Sequence, residues 1–112
     1  MGNNDKLLFW LHGEVKSPPF SKKARLEAGF LLRQLQQGTS ISMPESRPMA
    51  TIGRRCHELR IPDGDKTWRV IYRLDEDAVV IAEVFQKRTR TTPKAVIDIC
   101  ITRLKDYDNA CR

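Results

Sequence analysis

The stretch Cys56-His57-Glu58-Leu59-Arg60-Ile61-Pro62-Asp63-Gly64-Asp65, followed shortly by Trp68-Arg69-Val70-Ile71-Tyr72-Arg73-Leu74, holds the most regular pattern in this chain. Its period is two. His57, Leu59 and Ile61 fall on one side and Glu58 and Arg60 on the other; beyond the Pro62 to Asp65 turn, Trp68, Val70, Tyr72 and Leu74 form an apolar set opposed by Arg69, Ile71 and Arg73. Successive strand side chains leave on opposite faces, so the pattern predicts a hairpin with one apolar and one basic face. An acidic turn at Asp75 to Asp77 follows. Ala78 to Phe85 is then apolar on both faces and rich in β-branched residues, as suits a strand nearer the middle of a sheet. The prediction is a three-stranded antiparallel sheet.

Helical spacing flanks this core. Phe20, Ala24, Ala28, Leu31, Leu32 and Leu35 stripe one amphipathic helix, with Ser17 or Ser21 as its cap, Gly38 as its stop and a possible break at Gly29. Thr92 and Pro93 read as the cap and first residue of a second helix, striped by Val96, Ile99, Cys100, Leu104 and Tyr107. Leu7 to Val15 is dense in apolar and aromatic residues and ends at Ser17-Pro18-Pro19, which predicts a buried first strand with Trp10 in the core. Thr39 to Ala50, with two prolines and several small polar residues, reads as a surface loop. The order strand, helix, three strands, helix defines an α+β class in one domain over residues 1–112.

Composition narrows the partners. Twenty Lys and Arg against fourteen Asp and Glu leave a formal charge of +6, which favours a polyanion or an acidic protein. The charge is also segregated: Asp63, Asp65, Asp75, Glu76 and Asp77 sit in turns, whereas Arg60, Arg69, Arg73, Lys87 and Arg88 sit within or just after strands. No apolar run approaches the roughly 18 residues of a membrane span, and the N-terminus lacks the order of a signal peptide, so a cytoplasmic location is expected with no membrane partner. Cys56, Cys100 and Cys111 are odd in number, far apart and without zinc-ligand spacing; reduced thiols and no metal are expected.

The residues that can carry chemistry are therefore cations with a few acid–base groups. A concave array of guanidinium groups suits phosphate oxygens, because the planar fork makes bidentate, charge-assisted bonds. By alternation Arg60, Arg69 and Arg73 share a face, and the last strand delivers Lys87, Arg88 and Arg90 beyond its end. An ordinary solvated sheet face is the plain alternative. His57 is either a hydrogen-bonded core histidine or an ionisable switch, and His12 is equally ambiguous. Glu58 is either a general base or a neutralising partner for Arg60. Trp68 and Tyr72 fall on the apolar set and are assigned to packing.

Three runs carry a family resemblance: His57-Glu58-Leu59-Arg60-Ile61, Trp68-Arg69-Val70-Ile71-Tyr72-Arg73, and Val84-Phe85-Gln86-Lys87-Arg88-Thr89 followed by Thr91-Thr92-Pro93. Together and in this order they resemble the RelE/ParE/HigB toxin superfamily, in particular its phage-related HigB-like branch. The resemblance implies a RelE-like fold, a small antiparallel sheet packed with N-terminal and C-terminal helices. It also implies the toxin of a type II toxin–antitoxin system, an mRNA interferase that cuts messenger RNA on the ribosome without a metal or other cofactor. In such an endoribonuclease the 2′-hydroxyl attacks the adjacent phosphate, a side chain takes its proton, and cations stabilise the developing charge.

Carried over by position, Arg69 matches the arginine of the family's tyrosine-arginine strand, with Trp68 in place of the tyrosine, and Arg88 matches the arginine after the last strand. The chain departs from the RelE pattern in having Cys56 and Glu58 where lysines are expected and Lys94 where the tyrosine is expected. HigB-like members rely more on histidine and acidic residues, which brings His57 and Glu58 forward for proton transfer, with Lys87 as a cation or proton donor. Arg54, Arg55, Arg60, Arg73, Arg90 and Lys94 are the expected RNA-binding set. The implied partners are the ribosome, its message and a partly acidic cognate antitoxin of helix-turn-helix type. A ParE-like gyrase inhibitor and an inactive phage-derived nucleic-acid- or protein-binding module are the competing readings.

Overall fold

A computed structural model of the chain describes residues 5–11, 20–86 and 91–111. In chain order the elements are β1 (Leu7–Trp10), α1 (Lys22–Gln36), β2 (Ser46–Pro48), β3 (Cys56–Asp63), β4 (Lys66–Leu74), β5 (Ala78–Gln86) and α2 (Lys94–Ala110). The architecture is α+β, compatible with a RelE-like fold. The predicted hairpin forms, with Leu59 opposite Val70 and Ile61 opposite Trp68, and closes through the Gly64-Asp65 loop, where Gly64 takes φ +64°. A positive φ at the first loop position is what a two-residue hairpin of this kind asks of glycine.

Among the described residues the strands form one mixed five-stranded sheet in the order β1-β5-β4-β3-β2, wider than the three strands predicted. Two segments account for the difference. Ser46–Pro48, read from sequence as surface loop, pairs antiparallel with β3, buries Ser46 and delivers Met49 to the core. The Ser46 hydroxyl lies 2.5 Å from the Tyr72 hydroxyl across the sheet, so a small polar residue there serves a buried partner. β1 pairs parallel with β5 at the opposite edge. It is not the buried strand predicted: Leu7, Phe9 and Trp10 are 60%, 39% and 44% exposed. An edge strand of four residues has one neighbour, and here only Leu8 packs against the α1-side core. Leu11 follows the strand, and the rest of the predicted segment, His12 to Val15, lies outside the described residues, as does Ser17.

α1 starts at Ser21, whose hydroxyl accepts the Ala24 amide at 3.1 Å, and ends before Gly38 at φ +88°. It runs unbroken through Gly29. Ala24, Ala28, Leu31, Leu32 and Leu35 face Leu59, Ile61, Val70, Tyr72, Val79 and Ile81 in one core. Asp63 ties this layer to the hairpin tip, its Oδ2 accepting the Ser21 amide and the Trp68 indole N–H, each at 3.0 Å. A second core lies on the other face, where Ile71, Ala78, Val80 and Ala82 meet Cys100 and Leu104 of α2. The face expected to be basic is thus half covered by a helix. An irregularity between Ile71 and Tyr72 leaves Ala82 as an extra residue in β5, which re-aims the rest of that strand.

α2 does not begin as predicted. Pro93 occupies the cap position without a side-chain cap bond, and the first helical residue is Lys94. The Thr92 hydroxyl is spent elsewhere, donating to Glu58 Oε2 at 2.7 Å. Among the described residues no helix is long and apolar enough to cross a membrane, and the three cysteines are free thiols.

Candidate functional site

The site grows from one row of the sheet. Arg47 of β2 stands opposite Glu58 of β3, which stands opposite Ile71 of β4. Strand alternation puts all three on the α2 side. Glu58 is 0% exposed. Its Oε1 accepts Arg47 Nε at 3.1 Å, its Oε2 accepts the Thr92 hydroxyl, and Arg69 Nη1 stands 3.9 Å from Oε1. The sequence reading offered Arg60 as the neutralising partner; the short β2 strand, invisible in the pattern, brings Arg47 instead.

The next row places Arg60 directly opposite Arg69. Arg60 is exposed and Arg69 is 9% exposed. Burial pushes the Arg69 pKa down, Arg60 and Arg47 push the same way, and Glu58 opposes them. Arginine stays protonated through such a shift, so Arg47 and Arg69 share one carboxylate while Arg60 adds a third positive charge opposite Arg69. The Arg69 Nε is buried and has no hydrogen-bond partner among the described residues. A buried donor without an acceptor is costly unless something brings one. What this arrangement can do chemically is bind an oxyanion.

The other predicted cations separate from this group. Arg73 lies four residues along β4 from Arg69, roughly 13 Å at the usual strand rise, and its guanidinium is fully engaged. It donates to Asp75 at 2.7 and 2.9 Å and to Asp108 at 3.0 and 2.7 Å, with the Tyr107 ring beneath it. These carboxylates hold its pKa well above the usual arginine range. Arg73 clamps the sheet to the end of α2, and two carboxylates already occupy its guanidinium. Exposed Arg54 and Arg55 line a cleft of about 430 Å³ at that same end, with Lys105 and Asp108. Lys94 is exposed and paired with Asp98 at 2.8 Å. Lys87, Arg88 and Arg90 lie outside the described residues, but the residues bracketing them do not: Gln86 pairs with Trp68, next to Arg69, and Thr92 rests on Glu58.

His57 and Glu58 do not form a pair. His57 faces the α1 side, its ring stacked on Tyr72 at 5.3 Å, and its Nδ1 lies 3.1 Å from the Arg55 carbonyl oxygen. A carbonyl only accepts, so that bond requires the proton on Nδ1. Trp68 packs edge-on against Phe20, as its place on the apolar set predicted. Arg47 is the member of the candidate site that sequence reading missed; its only signal was an arginine between two small or rigid residues, Ser46 and Pro48, within a stretch that has no strand period.

Fold and site together define a small α+β protein that presents a buried arginine with excess positive charge on a helix-covered sheet. The family model described as Phage derived protein Gp49-like (DUF891) matches residues 19–105, from just before α1 to within α2, and the chain belongs to that family. It is a phage-derived family that falls in the RelE/HigB-like toxin group. No curated protein matches the chain.

Proposed function

We propose that the protein is the toxin of a type II toxin–antitoxin system, and that it cuts messenger RNA on the ribosome. The observation that carries this reading is Arg69: a nine-tenths buried guanidinium opposite Arg60 and near Arg47, with one carboxylate nearby and an Nε that lacks an acceptor among the described residues. A phosphodiester supplies both the missing charge and the missing acceptor. Membership of a phage-derived, toxin-like family supports the toxin part of this reading. In the proposed reaction the 2′-oxygen attacks phosphorus and the bond to the 5′-oxygen breaks. The 2′-hydroxyl gives up one proton and the departing 5′-oxygen gains one, leaving a 2′,3′-cyclic phosphate and a 5′-hydroxyl. Arg69 stabilises the charge that builds on the phosphoryl oxygens, the contribution that oriented cations make best in a site with little water. Arg60 steers and holds the strand. Lys87 and Arg88 come next in sequence after Gln86 and are the proposed source of further cationic or proton-donating groups.

The test is induction in growing cells with mapping of message 5′ ends. Wild type is expected to arrest growth and cut ribosome-bound transcripts, and Arg69→Ala to lower cleavage by about 10²–10³-fold, the usual effect of removing one transition-state donor. Intact transcripts with wild type would refute the nuclease, and a fully active Arg69→Ala would refute the site. A binding-only role, such as gyrase inhibition, is the second reading. It is favoured by the placement of His57 and Glu58 on opposite faces, and gyrase supercoiling assays with the purified protein separate it from the first.

A further inference from the structure

A second concavity adjoins the arginine cluster. A cleft of about 320 Å³ lies between β2, the 49–51 segment and the start of α2, lined by Arg47, Met49, Ala50, Thr51, Thr92 and Ile97. Its lining is mainly apolar, with one guanidinium. Arg47 is held there through its Nε, which donates to buried Glu58; the side chain is 35% exposed, and its terminal nitrogens make no hydrogen bond among the described residues. A guanidinium carries five N–H groups in a planar fork, so four remain for a ligand. Glu58 fixes both this arginine and Arg69, which stands 3.9 Å from the same Oε1. The arginine that lines the cleft and the arginine of the candidate phosphate site are therefore neighbours, 3.1 and 3.9 Å from the same Oε1.

These features select a ligand class. An apolar lining gives a bare phosphate ion little to hold, while a purely apolar ligand leaves the Arg47 fork unmatched. A group with a flat apolar face and an anionic end satisfies both, and the volume is at the lower end of small-molecule sites, enough for one nucleoside. Single-stranded RNA presents such a group at every residue, and proteins that read it hold unstacked bases against apolar and aromatic side chains and Arg planes. We propose that this cleft takes one unpaired nucleotide next to the phosphate held at Arg69, its base against Met49, Ala50 and Ile97 and its phosphate on Arg47. The cleft thereby sets the base preference beside the cut. This rests on the RNA-cleaving reading for its substrate.

Ala50 is the residue to change, because it is exposed, lines the cleft and takes no part in the Glu58 contacts. Ala50→Trp fills the space. The expected result, by mapping cleavage ends on ribosome-bound message, is a loss of about tenfold at favoured sites, the effect of one lost base stack, together with loss of preference at a single position beside the cut. A folded Ala50→Trp with unchanged rate and preference overturns the proposal. If wild type leaves the message whole, the RNA-cleaving reading fails on its own, and the cleft is decided by NMR titration of the purified protein with the four ribonucleoside 5′-monophosphates. Saturable shifts at the amides of Ala50, Thr51 and Ile97, weakened in Ala50→Trp and in Arg47→Gln, uphold a nucleotide subsite. No saturable shift, or the same shifts with inorganic phosphate alone, overturns it.

Discussion

Glu58 has no exposed surface, yet it touches β2 through Arg47, β4 through Arg69 and the approach to α2 through Thr92. Its position argues for holding the arginines rather than for meeting a substrate hydroxyl. Glu58→Ala leaves two guanidinium groups without their counter-charge, and such a loss costs about 3–5 kcal/mol where the partner stays buried; chemical denaturation of wild type and variant measures it. Glu58→Gln keeps the shape and an acceptor oxygen, so it is expected to retain most activity once its lost stability is accounted for. A Gln variant that is folded but inert would return Glu58 to the proton-transfer role. Asp63 makes a second residue-scale prediction. Its contacts with Ser21, and then with Trp68, hold its pKa below the usual carboxylate value. The folded pKa is below the unfolded one, so protons favour the unfolded chain. The stabilisation is present above the unfolded value and is lost as pH falls through the folded one. The melting temperature of wild type should exceed that of Asp63→Asn near neutrality, and the gap should close progressively below about pH 4.

At the scale of elements, the two helices are anchored by different means. α1 has a side-chain cap, a continuous stripe of five buried residues and a clasp to β1, where the Lys6 amide donates to the Gln36 carbonyl at 2.8 Å and Gln36 Nε2 returns a bond at 2.9 Å. α2 buries Cys100 and Leu104 and has no side-chain cap. Polar ties hold it along its length: Thr92 to Glu58, Arg103 to the Ala82 carbonyl and Glu83, and Asp108 to Arg73. Burial of Cys100 on the sheet-facing side of this helix also pushes its thiol up to about 12, which keeps it protonated and inert. The hairpin rests on its turn. Gly64→Ala meets no atom within 4 Å, so backbone strain alone sets the cost. Holding an L-residue at φ +64° is expected to lower stability by about 1–2 kcal/mol, read from the shift in denaturation midpoint with an unchanged slope.

For the molecule as a whole, the charge of +6 is spread unevenly, with Arg73 neutralised internally and Arg60 left exposed beside Arg69. Binding to single-stranded RNA should therefore weaken with salt, and Arg60→Ala should reduce the slope of log affinity against log salt by about 0.7, the value for one phosphate contact on a single strand. An unchanged slope would remove Arg60 from the interface. Much of this was legible locally. The period of two over Cys56 to Leu74 predicted the hairpin and the opposition of Arg69 to the apolar face, because strand alternation is a property of the backbone and needs no partner. The stripe from Ala24 to Leu35 predicted α1 for the same reason. Tertiary structure decided what each face meets. β2 is three residues long, too short to show a period, and exists through pairing with β3; β1 is apolar in sequence but has, among the described residues, a neighbour on one edge only. Thr92 carries the signature of a cap, yet a buried carboxylate from another strand competes for its hydroxyl and wins, since an unmet buried acceptor costs more than an uncapped, solvated helix end. Local periodicity determined the β3–β4 hairpin, α1 and the face on which Arg69 lies. Only the folded chain could set Arg47, Glu58 and Thr92 around it, because those contacts join segments 11 and 34 residues apart.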